Sequence, residues 1–290
     1  LEKIKEYFKN RTCHVASLHE KHLAIAPVFA SILGLNTEPF PINTDLLGTF
    51  TKEVERSLSP MLCAKEKCLM AIDALSLHGQ ADIVIGSEAS FGPHPYLPFS
   101  AAGHEILYFI DTKNHFELSI QELFLKTNFA FDLFDDFSLL NKAVENWGFP
   151  SHALIVKAHQ PKEQNTIFKG ISTLDALYDA FIQSKSLSFD QKVSVETDMR
   201  AHKNPTRMET IRELATKFAI RIKNFCPSCH TPGFGIIETK KGLPCDECSF
   251  PTDLNLSLLF GCAKCTYQED REREDQKRSA DPRYCPMCNP

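Results

Sequence analysis

The sequence predicts an α/β fold, a mixed sheet with flanking helices, followed by a small C-terminal double zinc-ribbon module. Three observations predict it. Over the first 224 residues, short apolar runs of strand character alternate with segments of helical periodicity, the pattern of an α/β sheet. The last quarter holds four Cys-x-x-Cys pairs: Cys226/Cys229, Cys245/Cys248, Cys262/Cys265 and Cys285/Cys288. Between the two stretches, a helix-periodic segment runs straight into Cys226 without a flexible tether. Residues 1–224 are therefore expected to form an α/β domain with a cleft for an anionic ligand, and residues 225–290 the zinc module.

The elements follow in chain order. Residues 13–17 read as a buried strand, and 22–35 as a helix with Ile25, Val28, Phe29 and Ile32 on one face. A polar stretch over 43–51 leads into residues 52–57. Ser59 and Pro60 supply an N-cap and an N1 proline for a helix to about Leu77. Residues 81–85 are then an apolar strand, and 86–95 the loop leaving it. Residues 105–111 read as a strand, with helices near 118–126 and 137–147. Strands over 152–158, 166–171 and 192–197 bracket a helix at 172–183. Asn204 caps the last helix and Pro205 starts it, with Met208, Ile211, Leu214, Ala215, Phe218 and Ile222 on one face.

A Cys-x-x-Cys turn presents two thiolates to one tetrahedral ion, so four turns imply two structural zinc sites. Such sites are coordinatively closed and shape the fold rather than perform chemistry. Fifteen residues separate the first two pairs, room for a hairpin over 235–242, and nineteen separate the last two, including the charged run 268–278. Sequential pairing, first with second and third with fourth, is the expected order. Interleaved pairing, as in cross-braced fingers, is the alternative. His230, beside Cys229, reads as a surface histidine.

Composition narrows the class. A hydrophobic content of 43% with 22 Phe supports a packed core. No run of about 18 apolar residues is present, so no membrane span is expected. The opening Leu-Glu-Lys is not an apolar signal stretch. Eight of the 11 cysteines sit in the pairs; Cys13, Cys63 and Cys68 are scattered and read as small buried apolar residues. That usage points to reduced thiols and a cytoplasmic setting. The formal charge is −5, and residues 222–290 carry nine basic against ten acidic side chains before any thiolate is counted. Binding nucleic acid requires clustered positive charge, so none is expected.

Three segments carry residues suited to chemistry. In 198–207, Arg200, His202, Lys203 and Arg207 crowd the start of a helix, where backbone N–H groups already favour an anion. This is either an anion-binding corner or a salt-bridge cluster with Asp198. In 86–95, Glu88, Ser90 and His94 offer a carboxylate, a hydroxyl and an imidazole at the carboxyl end of a strand, where open α/β sheets bind ligands; an ordinary rigid turn fits the same glycines and prolines. In 18–22, Lys21 stands between the first strand and first helix, to meet a phosphate or to face solvent.

Together, residues 86–95, the string Asp198-Met-Arg-Ala-His-Lys-Asn-Pro-Thr-Arg207 and the cysteine pairs resemble a bacterial family labelled as a domain of unknown function. That resemblance spans the chain and implies this modular layout with no known activity. The N-terminal third is also similar to the inosine-triphosphatase-like and Maf-like nucleotide pyrophosphatases. Ser17-Leu-His-Glu-Lys21 occupies their Thr/Ser-x-Asn-x-x-Lys turn, Asp45 with Thr49-Phe50 their acidic segment, Ala64-Lys65 their helix, and Glu88 their acidic strand end. His19 stands where they have Asn, Lys21 comes one place early, and their Lys-Ala order is reversed.

Two classes of function follow. The leading one is a metal-dependent hydrolase of a nucleotide or other phosphorylated small molecule. In it Asp45 and Glu88 hold Mg2+, Lys21, Arg200 and Arg207 hold phosphate oxygens, and Glu88, His94 and His202 are the catalytic groups. The other is a non-enzymatic module whose zinc ribbons dock a protein partner. The enzyme reading requires Glu88, His94, Arg200 and Arg207 to converge on one pocket.

Overall fold

The computed structural model describes residues 2–49, 53–162 and 166–290. A short helix α1 (Glu2–Tyr7) precedes strand β1 (Thr12–Ala16), followed by α2 (His22–Leu33), β2 (Asn36–Phe40), α3 (Pro60–Ser76), β3 (Ile83–Pro93), β4 (Ala101–Asp111) and β5 (Phe116–Phe124). These strands form one mixed sheet in the order β2-β1-β3-β4-β5. β1 runs parallel to β2 and β3, whereas β3, β4 and β5 form an antiparallel meander.

Strand periodicity sorts the core. Ile83 and Ile85 face one side of the sheet, where α2 and a later helix, α6 (Pro205–Ile222), pack on them. Val84 faces the other side, against Ala64, Cys68 and Ala71 of α3. Gly86 continues that second face because α3 lies so close: a Cβ there would stand 2.3 Å from the Ala64 carbonyl oxygen and 2.8 Å from Cys68 Sγ. Leu214, Phe218 and Ile222 of α6 are fully buried, each such side chain contributing about 1.5–3 kcal/mol. At the amino end of β1, Arg11 donates to both oxygens of Asp111 at 2.8 Å and to Asp82, tying three strands together.

A second, antiparallel sheet is built from β6 (Phe131–Phe134), β7 (Leu154–Ala158), β8 (Ile167–Ile171) and β9 (Val193–Thr197) in the order β6-β9-β7-β8. Helices α4 (Phe137–Asn146) and α5 (Leu174–Ser186) supply Leu140, Val144, Leu177 and Phe181 to its core. After α6, β10 (Gly235–Lys241), β11 (Asn255–Gly261) and β12 (Gln268–Glu272) form a three-stranded antiparallel sheet among the cysteine pairs. The α/β class, the flanking helices and the caps at Ser59 and Asn204 agree with the sequence reading: Ser59 accepts from Leu62 N–H, and Asn204 from Arg207 N–H.

Four readings change. The segment 86–95 is strand through Pro93, because β4 pairs with it along its whole length, so Glu88 lies mid-strand. Residues 118–126 are not helical; Phe116, Leu118 and Phe124 are buried on the inner face of β5, and its Glu and Leu content misled the helix reading. The span 235–242 is a single strand paired with β11 rather than a hairpin. The short edge strands β2 and β6 went unread, β2 because it carries few apolar residues and β6 because it is only four residues long. Phe50 of the acidic segment, and Thr51 and Lys52 after it, lie outside the described residues. No helix among the described residues is long and apolar enough to cross a membrane.

Candidate functional site

The main cleft exists because the strands of the first sheet stop at different heights. Pairing of β1 with β3 ends at Val15 and Ile85, and β2 ends opposite Ala16, yet β3 continues to Pro93 on β4 alone. The notch beyond the carboxyl ends of β1 and β2 opens into a cavity of about 600 Å³, within the range of small-molecule sites. His19 and Lys21 enter it from the loop after β1, Thr44 and Asp45 from the turn after β2, Lys67 from α3, and Glu88 from β3. The second sheet closes the other wall with Ile155 and Lys169, joined by Arg200 from the turn after β9.

Glu88 is heavily engaged. It accepts from Lys67 Nζ at 2.8 Å, the Cys63 thiol at 2.9 Å and the Ala89 N–H at 2.9 Å, and Arg56 Nη1 lies 3.6 Å away. Burial works to raise its carboxyl, but Lys67, Lys21 and those hydrogen bonds win and hold it down at about 2. The Cys63 thiol is pushed up to about 12 by burial and by Glu88. Arg56 and Lys67 also donate to the Ala89 and Ser87 carbonyls, satisfying the edge of β3 that β1 leaves open.

The other cleft cations are paired in the same way. Arg207 is 2% exposed, donates to Glu105 Oε1 at 2.6 Å and to the Met199 carbonyl, and lies 5.2 Å over the Phe91 ring. Arg200 donates to both oxygens of Asp198. Lys169 pairs with Glu53. Lys21 differs: it is 5% exposed and its Nζ bonds Ser87 Oγ at 2.8 Å, with no carboxylate in ion-pair range among the described residues. Burial, reinforced by Arg207 and Lys67, lowers it to about 7. His19, also lowered by burial, to about 3, stacks on His202 with ring centroids 5.2 Å apart. Burial lowers His202 as well, and its buried Nδ1 has no hydrogen-bond partner.

Lys21, Asp45, Glu88, Arg200 and Arg207 therefore converge on one cleft. His202 reaches it only through His19. His94 does not line it; its Nδ1 accepts the Tyr96 and Leu97 N–H groups and shapes the tip of the β3–β4 hairpin. The salt-bridge alternative for 198–207 is realised, with Arg200 and Arg207 each bound to a carboxylate while bordering the cleft. Asp45 and Glu88 belong to no group of three or more metal-capable side chains among the described residues.

Sequence reasoning passed over Arg56, Lys67, Lys169 and Ser87. Lys67 was legible: it interrupts the stripe Cys63, Ala64, Cys68, Ala71 and Leu75 that α3 buries. Lys65, which the pyrophosphatase resemblance singled out, pairs with Glu117 at 2.7 Å and lies outside the cleft. Two positions separate the lysines, about 200° around a helix, so they cannot share a face.

The eight paired cysteines form two groups able to hold a metal ion: Cys226, Cys229, Cys262 and Cys265, and Cys245, Cys248, Cys285 and Cys288. Closest Sγ···Sγ approaches between partner pairs are 3.5 and 3.7 Å in the first group, and 3.5 and 3.8 Å in the second. Four thiolates about 2.3 Å from one tetrahedral ion stand about 3.8 Å apart, so both groups fit zinc. Pairing is interleaved, first with third and second with fourth, which overturns the sequential order. The reason is the β10–β11 ladder, which sets Gly235 opposite Gly261 and so brings the first and third turns together. The first group is anchored to the body: Lys264 Nζ donates to the Asn114 carbonyl, and Arg221 to the Ser119 and Gly233 carbonyls.

The family described as Domain of unknown function (DUF6671) matches residues 67–290, and the chain belongs to it. The match leaves His19, Lys21, Asp45 and Arg56 outside. No curated protein matches. Among solved structures, protein VC0702 from Vibrio cholerae is similar at 14% identity and a TM-score of 0.25, over 46% of this chain and 70% of that one. A likeness that slight carries no argument.

Proposed function

We propose that this member of a family of unknown function binds a phosphorylated small molecule, a nucleotide being the leading candidate, in the cleft between its first two sheets. Its two four-cysteine groups each carry a structural zinc ion in this reading. The observation that carries it is Lys21, a buried amine at a cavity wall with a hydroxyl partner and, among the described residues, no carboxylate in ion-pair range. An anion placed there supplies the missing countercharge. Arg56, Arg200 and Arg207 border the same space, fixed in place by Glu88, Asp198 and Glu105, so they add donors at little ordering cost.

Three of the four residues that the enzyme reading required, Glu88, Arg200 and Arg207, border the cleft and His94 does not, so the reaction we assign to it, hydrolysis of a phosphate ester, leaves His94 without a role. Asp45 is the carboxylate suited to meet Mg2+ entering with the ligand, because it lies 3.9 Å from His19, a ring held neutral, and is otherwise half-exposed. Glu88, tied to Lys67 and Cys63, instead orders the cations. The test is calorimetric titration of the zinc-loaded chain with inorganic pyrophosphate and nucleoside triphosphates, with and without Mg2+, alongside phosphate release. Binding weakened at least tenfold by Lys21→Gln is expected; no binding of any of these anions would end the reading. A second reading, a protein-docking zinc module, is favoured by Ile236, Ile237 and Leu256, which are 42%, 47% and 47% exposed on β10 and β11. It predicts that Ile237→Lys abolishes function while anion binding stays intact.

A further inference from the structure

The charges around Lys21 set a condition on any anion that enters. Arg207 from α6 and Lys67 from α3 disfavour its proton, while Glu88 from β3 and Glu105 from β4 favour it. Those two carboxylates are already committed, Glu88 to Lys67 at 2.8 Å and Glu105 to Arg207 at 2.6 Å, so each largely cancels the cation it holds. His19 from the same loop is uncharged, and Arg200 and His202, ahead of α6, press on His19 from behind. What remains for Lys21 is desolvation with a hydroxyl, Ser87 Oγ, as its hydrogen-bond partner. An ammonium so placed gives up its proton far more readily than one in water, and Ser87 can hold the neutral amine as readily as the charged one, since a hydroxyl both donates and accepts.

Building on the anion-binding reading, we infer that the ligand enters this cleft together with a proton, which comes to rest on Lys21 Nζ. The empty cleft thereby avoids an uncompensated buried charge, and the filled cleft regains a strong donor at the moment the anion needs it. With Lys21 at about 7 before binding, the chain takes up little proton below neutrality and most of one proton at pH 8. Apparent affinity then falls about tenfold for each pH unit above that value, until the pKa of the filled cleft is reached. The arrangement discriminates in favour of dianionic groups such as phosphate monoesters, which draw a proton onto the amine more strongly than a neutral or singly charged ligand does.

Inorganic sulfate is the suitable probe, because it has no proton of its own to gain or lose near neutrality. Calorimetric titration of the full zinc-loaded chain at pH 8, in two buffers with different ionisation heats, counts the protons taken up. Most of one proton per sulfate is expected at pH 8 and a small fraction at pH 6. Lys21→Arg, which cannot deprotonate, should bind without proton uptake and with an affinity flat from pH 6 to 9; if that variant does not fold, Lys21→Gln replaces it and should show no uptake. Sulfate binding by the wild type without proton uptake, or equal uptake by the variant, overturns the inference and leaves the anion reading standing. Failure of sulfate and pyrophosphate alike to bind brings down both.

Discussion

Replacing Glu88 by Gln removes one charge from the centre of the cleft and should be costly. Glu88 is 7% exposed, and its carboxyl drops from 4.5 to about 2 on folding, worth about 3 kcal/mol of stability. Removing one partner of a buried ion pair costs about 3–5 kcal/mol by a separate route, here because Lys67 is left without its countercharge. Both arguments make Glu88→Gln destabilising by about 3 kcal/mol rather than a silent, shape-preserving change. Because the folded carboxyl is depressed, the contribution is full above about 4.5 and is lost as pH falls through about 2. Urea unfolding followed by circular dichroism should therefore give a wild-type advantage that is constant from pH 8 to 5. Adding Lys67→Met removes the orphaned charge and should restore at least half the loss. A Glu88→Gln chain within 1 kcal/mol of wild type, or a double variant no more stable than the single one, would refute the argument.

Three further outcomes are expected. A variant lacking Cys226, Cys229, Cys262 and Cys265 should retain one zinc by elemental analysis, whereas one lacking Cys226, Cys229, Cys245 and Cys248 should retain none; sequential pairing predicts the opposite pattern. Gly86→Ala should cost at least 1–3 kcal/mol in thermal unfolding, because the new methyl meets backbone at 2.3 Å, and an unchanged melting temperature would contradict the close packing of α3. Residues 222–290 should show no micromolar binding of duplex DNA or single-stranded RNA at physiological salt, given nine basic against ten acidic side chains; tight binding with a steep salt slope mapped to this region would be evidence against that charge argument.

Features that depend on spacing and local chemistry were legible in the order of residues alone. Four Cys-x-x-Cys turns announced two four-thiolate groups, and Ser59-Pro60 and Asn204-Pro205 marked helix starts, because capping and chelation need residues only a few positions apart. The periodicity of α6 and the apolar run at Ile83–Ile85 likewise specified buried faces wherever they packed. Lys21 and Arg207 were legible as candidates, since each stands at a helix start, and Glu88 because it follows the apolar run Ile83–Ile85.

Features that depend on partners far along the chain had to await the fold. Which cysteine turns meet is set by the β10–β11 ladder, so spacing alone favoured the wrong order. Whether 86–93 is loop or strand depends on β4 lying alongside, a pairing over up to 22 residues of chain that no local signal encodes. The character of the cleft belongs to the same class. Arg207 is neutralised by Glu105, 102 residues away, and Glu88 is captured by Lys67 and Cys63, while Lys21 meets a serine hydroxyl and, among the described residues, no carboxylate in ion-pair range. A side chain's charge is written in the sequence, but whether that charge is spent or available is fixed by burial and by what folding sets beside it.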